Sequence, residues 1–302
     1  MEKMYIIGGS GFIGKNLVEY FLESYDITVV DKYIDDGFFC RHPQVRTLRI
    51  ELDREQIPQD AETPDYIVNL ASIVTAERDL SLFDGMISSN LKVLLNLFER
   101  FRGDGNLKLF IQFGSSEEYG NEGSPFVEGM REVPNSPYAL VKQLTVNTAL
   151  MLQRNYGFPA MSVRPGNVFG RYQNSGKFIP YVISRLRAGE ILDVTLCEQK
   201  RDFIYASDFA WCIGELVKNY RECIGEIVNV ASGESVSLKW IIDTCKQIMK
   251  SRSPIHYGAL SYRENEVMDL KCSVEKLSSM VNQEIQLDIK QRLTEYINEQ
   301  GL

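Results

Sequence analysis

A short apolar run, Met4-Tyr5-Ile6-Ile7, passes directly into Gly8-Gly9-Ser10-Gly11-Phe12-Ile13-Gly14 and then into a helical pattern with Leu17, Val18, Phe21 and Leu22 on one face. That order constrains the chain to a strand, a tight turn and a helix laid back on the strand. One glycine makes the turn, one lets backbone approach a ligand, and one permits close helix–strand packing. The helix N-terminus then faces an anion. Residues 27–30 form a second apolar, β-branched run that ends at Asp31, where a carboxylate can accept hydrogen bonds from ribose hydroxyls. The pattern predicts a dinucleotide site in which Gly8, Gly11, Phe12, Ile13, Gly14, Asp31 and Lys32 meet the pyrophosphate and adenosine. Asp31 would repel a 2′-phosphate and so favours NAD, while Lys32 beside it leaves NADP open.

Apolar runs at residues 4–7, 27–31, 46–50, 66–70, 107–113 and 160–164 alternate with helical periodicity at 12–23, 87–101 and 138–156. Strands that alternate with helices predict an α/β fold, a Rossmann-type doubly wound parallel sheet. Ligands in such sheets bind beyond the carboxyl ends of the strands. After residue 168 the rhythm loosens, leaving helices near 178–188 and 207–219 and a strand at 226–230. The division expected is a cofactor-binding domain over residues 1–167, carrying the catalytic residues. Residues 168–302 then form mainly a smaller C-terminal substrate-binding lobe, with some segments returning to the first domain. The loop at 121–137 is expected to rim the cleft.

A net charge of −8 and the lack of a basic stripe argue against nucleic acid or anionic membrane as partner. Six cysteines without a Cys-x-x-Cys pair, and two histidines, indicate neither a metal site nor a disulfide frame. The first strand starts at residue 4 and no apolar run reaches membrane-spanning length, so a cytoplasmic protein is expected.

Among fifteen tyrosines only Tyr138 has a lysine four residues later, Lys142, which a helix places on the same face. An ammonium beside a phenol lowers its pKa and makes it a usable acid or base. The strand at 107–113 ends in Gly114-Ser115-Ser116-Glu117-Glu118-Tyr119-Gly120, at the edge where ligands bind. With the glycine turn, Asp31, Tyr138 and Lys142, Arg164-Pro165-Gly166-Asn167-Val168-Phe169-Gly170 and Arg201-Asp202-Phe203, the chain resembles the extended short-chain dehydrogenase/reductase family. Its nearest likeness there is to the NAD-dependent nucleotide-sugar epimerases, dehydratases and 4-ketoreductases.

That resemblance implies that Ser115 hydrogen-bonds the reacting sugar oxygen, that Tyr138 is the general acid/base, and that Lys142 also holds the nicotinamide ribose. It further implies cofactor contacts at Asp53 and Arg54 and at Leu70, Ala71 and Ser72, and a nucleotide-diphosphate sugar held by Ser115, Ser116, Asn167, Arg201 and Arg263. A homodimer joined through two helices per subunit is implied as well. Glu117 matches an additional acid/base of the 4,6-dehydratases, yet the block Gly114 to Gly120 and Arg263-Glu264-Asn265-Glu266-Val267 resemble reductases of GDP-4-keto-6-deoxymannose. The expected activity is reduction of the 4-keto group of a GDP- or CDP-linked 4-keto-6-deoxyhexose. A 4-epimerase, a 4,6-dehydratase and a non-catalytic cofactor-binding module are the alternatives.

Overall fold

The computed structural model describes residues 1–75 and 77–300, so the last two residues of the 168–302 segment lie outside the described residues. Its strands are β1 (Lys3–Ile7), β2 (Asp26–Asp31), β3 (Arg46–Arg49), β4 (Tyr66–Asn69), β5 (Leu109–Phe113), β6 (Ala160–Pro165), β7 (Asn167–Phe169), β8 (Leu192–Val194), β9 (Lys200–Tyr205), β10 (Ile227–Val230), β11 (Ser235–Ser237), β12 (Ile255–Tyr257) and β13 (Asp269–Leu270). The helices are α1 (Phe12–Phe21), α2 (Asp36–Phe39), α3 (Phe83–Ile87), α4 (Val93–Phe101), α5 (Pro137–Tyr156), α6 (Phe178–Ala188), α7 (Ala206–Lys218), α8 (Tyr220–Cys223), α9 (Leu238–Met249), α10 (Glu275–Val281) and α11 (Ile289–Glu299).

Seven strands form one sheet in the order β10-β6-β5-β4-β1-β2-β3, every neighbouring pair parallel. The chain reverses its direction of winding between β1 and β4, so their carboxyl ends open a crevice between them. Continuous apolar strands fit a sheet covered on both faces. One face buries Met4, Ile6, Val29, Val68 and Ile111 against Leu17, Val18 and Phe21 of α1 and Ile213 and Leu216 of α7. The other buries Tyr5, Ile7, Ile67 and Phe110 against Leu94, Leu97 and Phe98 of α4 and Leu152 of α5.

The strand expected near 226–230 is β10, and it closes the edge of this sheet beside β6. A second apolar cluster gathers Ile179, Val182 and Ile183 of α6, Ile241 and Ile242 of α9, and Leu293 and Ile297 of α11 around the short strands β8 and β9. Strands of two or three residues leave no period to detect, and β7, β8, β11, β12 and β13 escape the sequence pattern for that reason.

Two expectations are corrected. The helix expected at 87–101 starts at Phe83 and widens into a π-helical turn over Ser88–Lys92 before α4. Asn90 stabilises the wide turn by donating to the Met86 carbonyl at 2.8 Å, and Ser88 and Ser89 reach the cleft from it. The loop at 121–137 does not rim the cleft. Phe126 stacks on Tyr119, its backbone pairs with Lys271 and Ser273, and Glu132 pairs with the buried Arg164 of β6, contacts that hold the loop away from the cleft lining.

Candidate active site

A cleft of about 1520 Å³ runs over the carboxyl ends of β1, β4, β5 and β6 to the second cluster. Pockets for one small ligand commonly hold roughly 300–1,000 Å³, so this cleft has room for two. Every residue selected from the sequence lines it: Gly8, Gly11, Phe12, Ile13, Gly14, Asp31, Lys32, Asp53, Arg54, Leu70, Ala71, Ser72, Ser115, Ser116, Glu117, Tyr138, Lys142, Asn167, Arg201 and Arg263.

At the β1 end, Gly8 has φ +76°, and a Cβ there would lie 3.1 Å from the Ala71 nitrogen. A Cβ on Gly14 would lie 2.5 Å from the Gly9 Cα. Only glycine allows α1 to begin this close to the turn. Gly11 at the N-cap has no side chain to cap the first turn, which leaves N–H groups to face an anion. Asp31 accepts from the Ser10 N–H at 3.1 Å and the Tyr33 N–H at 3.2 Å, a pairing that holds its carboxylate at the lip of the turn. Asn69 stays buried below the cleft, donating to Gln112 at 2.8 Å and accepting from the Ala71 N–H at 3.3 Å. These residues fit a dinucleotide.

At the β5 end, Ser115 caps a short 3₁₀ turn (Ser116–Tyr119), its Oγ accepting from the Glu117 N–H at 3.2 Å. The hydroxyl proton of Ser115 remains available to a ligand oxygen. Ser136 caps α5 by accepting from the Ala139 N–H at 3.1 Å, with Pro137 at the first helical position, so Tyr138 enters the cleft from a rigid helix start. Lys142, one turn on, lies 5.9 Å from the Tyr138 ring and donates to the Phe113 carbonyl at 2.9 Å.

The electrostatics differ from the sequence expectation. Burial pulls the Lys142 ammonium down to about 8, against the opposing charge of Glu118. The Tyr138 phenol is raised, chiefly by burial and further by Glu117 and Glu118, while Ser115 opposes the shift. Lys142 therefore does not bring the phenol toward neutrality here. Its Nζ turns to the Phe113 carbonyl, and burial of the phenol, with Glu117 and Glu118 nearby, keeps its pKa raised. Tyr138 is a neutral phenol with a proton to give.

Glu117 opens into the cleft between protein walls. Those walls raise its pKa, and Arg201, Lys177, Arg263 and Arg78 act against that rise. Arg201 is not free: it donates to the Val267 carbonyl at 2.6 Å and to the Lys200 carbonyl at 2.7 Å and forms an ion pair with Glu266. Arg78 donates to the Glu264 carbonyl at 2.7 Å. Arg78 and Lys177 sit in no local pattern, and Glu266, though inside the Arg263 to Val267 block, meets Arg201 only through the tertiary fold. Cys197 packs in the second cluster and also lines the cleft, and His256 pairs with Asp193 at 2.9 Å. Among the described residues no cluster of His, Cys, Asp and Glu could hold a metal ion, and no helix is long and apolar enough to cross a membrane.

Comparison with known proteins places this geometry. The chain is 27% identical over 257 residues to the low-salt glycan biosynthesis protein Agl12 of Haloferax volcanii, covering 82% of this chain and 81% of that one. It is 24% identical over 298 residues to the dTDP-4-dehydro-6-deoxyglucose reductase of Escherichia coli, covering 90% of each. The solved UDP-N-acetylglucosamine 4-epimerase from Methanobrevibacter ruminantium M1, in complex with UDP-N-acetylmuramic acid, shares the fold with a TM-score of 0.89 at 23% identity, over 98% of this chain and 97% of that one. Residues 4–231 match the family described as NAD dependent epimerase/dehydratase. With the glycine turn, Asp31 and the Ser115, Tyr138 and Lys142 group all on one cleft, the chain belongs to the NAD dependent epimerase/dehydratase family.

Proposed function

We propose that this enzyme reduces the 4-keto group of a nucleotide-linked 4-keto-6-deoxyhexose, GDP- or CDP-linked, with NAD as its cofactor couple. The observation that carries the reading is the Tyr138 ring 5.9 Å from the Lys142 Nζ on the same cleft as Ser115. Reduction of a ketone needs a proton donor at the oxygen, whereas oxidation of a hydroxyl needs a base there. The reduced cofactor, when bound, supplies the hydride. Tyr138 gives its hydroxyl proton to the carbonyl oxygen while C4 gains the hydride, so the C=O bond becomes CH–OH. Ser115 donates to the same oxygen and orients it. Lys142 holds the nicotinamide-side ribose and the charge balance around Tyr138.

Dehydration across C5 and C6 needs a base at one carbon and an acid at the other oxygen. Glu117 supplies a carboxyl for that, but the likeness of the block Gly114 to Gly120 and of Arg263 to Val267 to the reductases favours chemistry confined to C4. In this reading residues 1–167 hold the cofactor and residues 168–302 mainly the sugar nucleotide, with Asn167, Arg201 and Arg263 toward its diphosphate.

The same proposal includes a homodimer. Leu140 and Leu144 of α5 are 44% and 43% exposed, and with Ile87 and Phe83 of α3 they line an apolar groove on one side of the molecule. Pairing of two such grooves would bury it.

Reduced cofactor carrying deuterium at nicotinamide C4 tests the reaction. One deuterium bound at sugar C4 supports it. A water loss or a new isomer without label from the added cofactor would replace it with a dehydratase or an epimerase.

A further inference from the structure

Beneath Ser115 lies a carboxylate that the proposed proton transfer does not use. Glu118 is fully buried. One of its oxygens accepts from the Ser115 N–H at 2.7 Å and the other from Arg164 Nε at 2.8 Å. Arg164 is also fully buried, lies over the Tyr119 ring at 4.6 Å, and pairs through its other branch with Glu132, six residues before Tyr138. The folded-back course of Glu118 needs space: a Cβ on Gly114 would collide with its carboxylate. Burial raises the Glu118 pKa and Arg164 and the Ser115 N–H act against that rise; since each oxygen faces a donor, a protonated carboxyl would set its O–H against an N–H, and the geometry favours the anion.

Three groups face Lys142 from the elements packed around it. The Phe113 carbonyl approaches from β5, the Tyr138 ring from its own helix, and Glu118 from the turn after β5. Glu118 is the one among these that carries a negative charge against the ammonium; Glu117 acts on Tyr138 instead.

We propose that Glu118 is the positioning residue of this site, fixing Ser115 through its backbone N–H and supplying the buried charge that keeps Lys142 an ammonium. The proposal rests on the reading of Ser115 and Lys142 as working residues. A carboxylate kept only to neutralise Arg164 would leave both of them indifferent to its loss.

The test follows the Lys142 titration by carbon-13 NMR of labelled lysine in the substrate-free full-length protein, so it stands apart from whether any keto sugar is turned over. Glu118→Gln lowers the Lys142 midpoint from about 8 by about one unit, as loss of a nearby opposite charge does. Glu132→Gln, which removes the other carboxylate on Arg164, leaves the midpoint in place. Glu118→Asp keeps the charge and shortens the reach to Ser115, so it retains the midpoint yet lowers kcat by roughly 10–100-fold, with the KM for reduced cofactor unchanged. Should Glu118→Gln fail to fold, the aspartate variant carries the test, and a fallen midpoint there overturns the proposal. An unchanged midpoint in Glu118→Gln, or an equal fall in Glu132→Gln, overturns it as well.

Discussion

Replacing Gly14 by alanine sets two effects against each other on α1. Alanine within a helix is favoured over glycine by about 1 kcal/mol. Against that, the new methyl would sit 2.5 Å from the Gly9 Cα and 2.7 Å from the Gly8 oxygen, where 3.4 Å is ordinary contact. Backbone cannot swing aside as a side chain can, so α1 must retreat from the turn by about 0.9 Å. Overpacking of this kind costs roughly 1–3 kcal/mol, enough to cancel or exceed the propensity gain. Binding suffers more than stability. Drawing the helix N-terminus back from a pyrophosphate weakens two charge-assisted hydrogen bonds, each worth about 1.5–3 kcal/mol. The expected rise in the Kd for NADH is then on the order of 100-fold, with a Tm unchanged or lower by up to about 4 °C.

Gly85→Ala in α3 provides the comparison, since its methyl meets only the Ile73 side chain at 3.5 Å. There the propensity gain stands alone, and Tm should rise by about 2 °C. Fluorescence titration with NADH and thermal unfolding by circular dichroism read both quantities. A Gly14→Ala protein that binds NADH normally, or gains stability as Gly85→Ala does, would refute the argument that this turn is built around close approach.

Three further outcomes follow from the site and its surface. Tyr138→Phe should lose about 10²–10⁴ of kcat in steady-state assays while binding NADH as before; undiminished turnover would remove Tyr138 from the chemistry. Activity should fall with rising pH through about 8 as Lys142 loses its proton, and a rate flat to pH 10 would contradict that. The sign for stability is opposite: the folded pKa lies below the unfolded value of 10.5, so between these values the unfolded chain binds more protons and the contribution of Lys142 to stability grows with pH. Leu144→Glu should convert a dimer to a monomer by light scattering with little change in Tm, and a wild-type protein that is already monomeric would dismiss the interface on α3 and α5.

What the sequence revealed follows how local each signal is. Gly8 to Gly14, Asp31 and the pair Tyr138 and Lys142 are short-range patterns, in which turn geometry or a helical repeat fixes the side chains relative to one another. Their shared cleft follows from parallel strands whose carboxyl ends align. Arg78 and Glu266 escape such reading because they meet the site through segments far apart in sequence, Arg78 through the backbone near Glu264 and Glu266 through Arg201. The ionisation of Tyr138 escaped it for another reason. Helical spacing placed Lys142 on the Tyr138 face, but it could not reveal how deeply the phenol is buried or that two carboxylates lie near it. The π-helical turn at Ser88–Lys92 likewise depends on where Asn90 finds a carbonyl, which periodicity does not encode.

The proposed reaction brings hydride and proton together at one sugar carbonyl beside Ser115 and Tyr138. Purified protein should be mixed with NADH or NADPH and a panel of nucleotide-linked 4-keto-6-deoxy sugars, following the reduced-nicotinamide absorbance and the product mass. The account predicts cofactor oxidation in one-to-one proportion with a product two hydrogens heavier, strongest with a GDP- or CDP-linked sugar and with NADH. Reduced cofactor that remains unspent across the panel, while intact nucleotide hexoses lose water or isomerise, would contradict it.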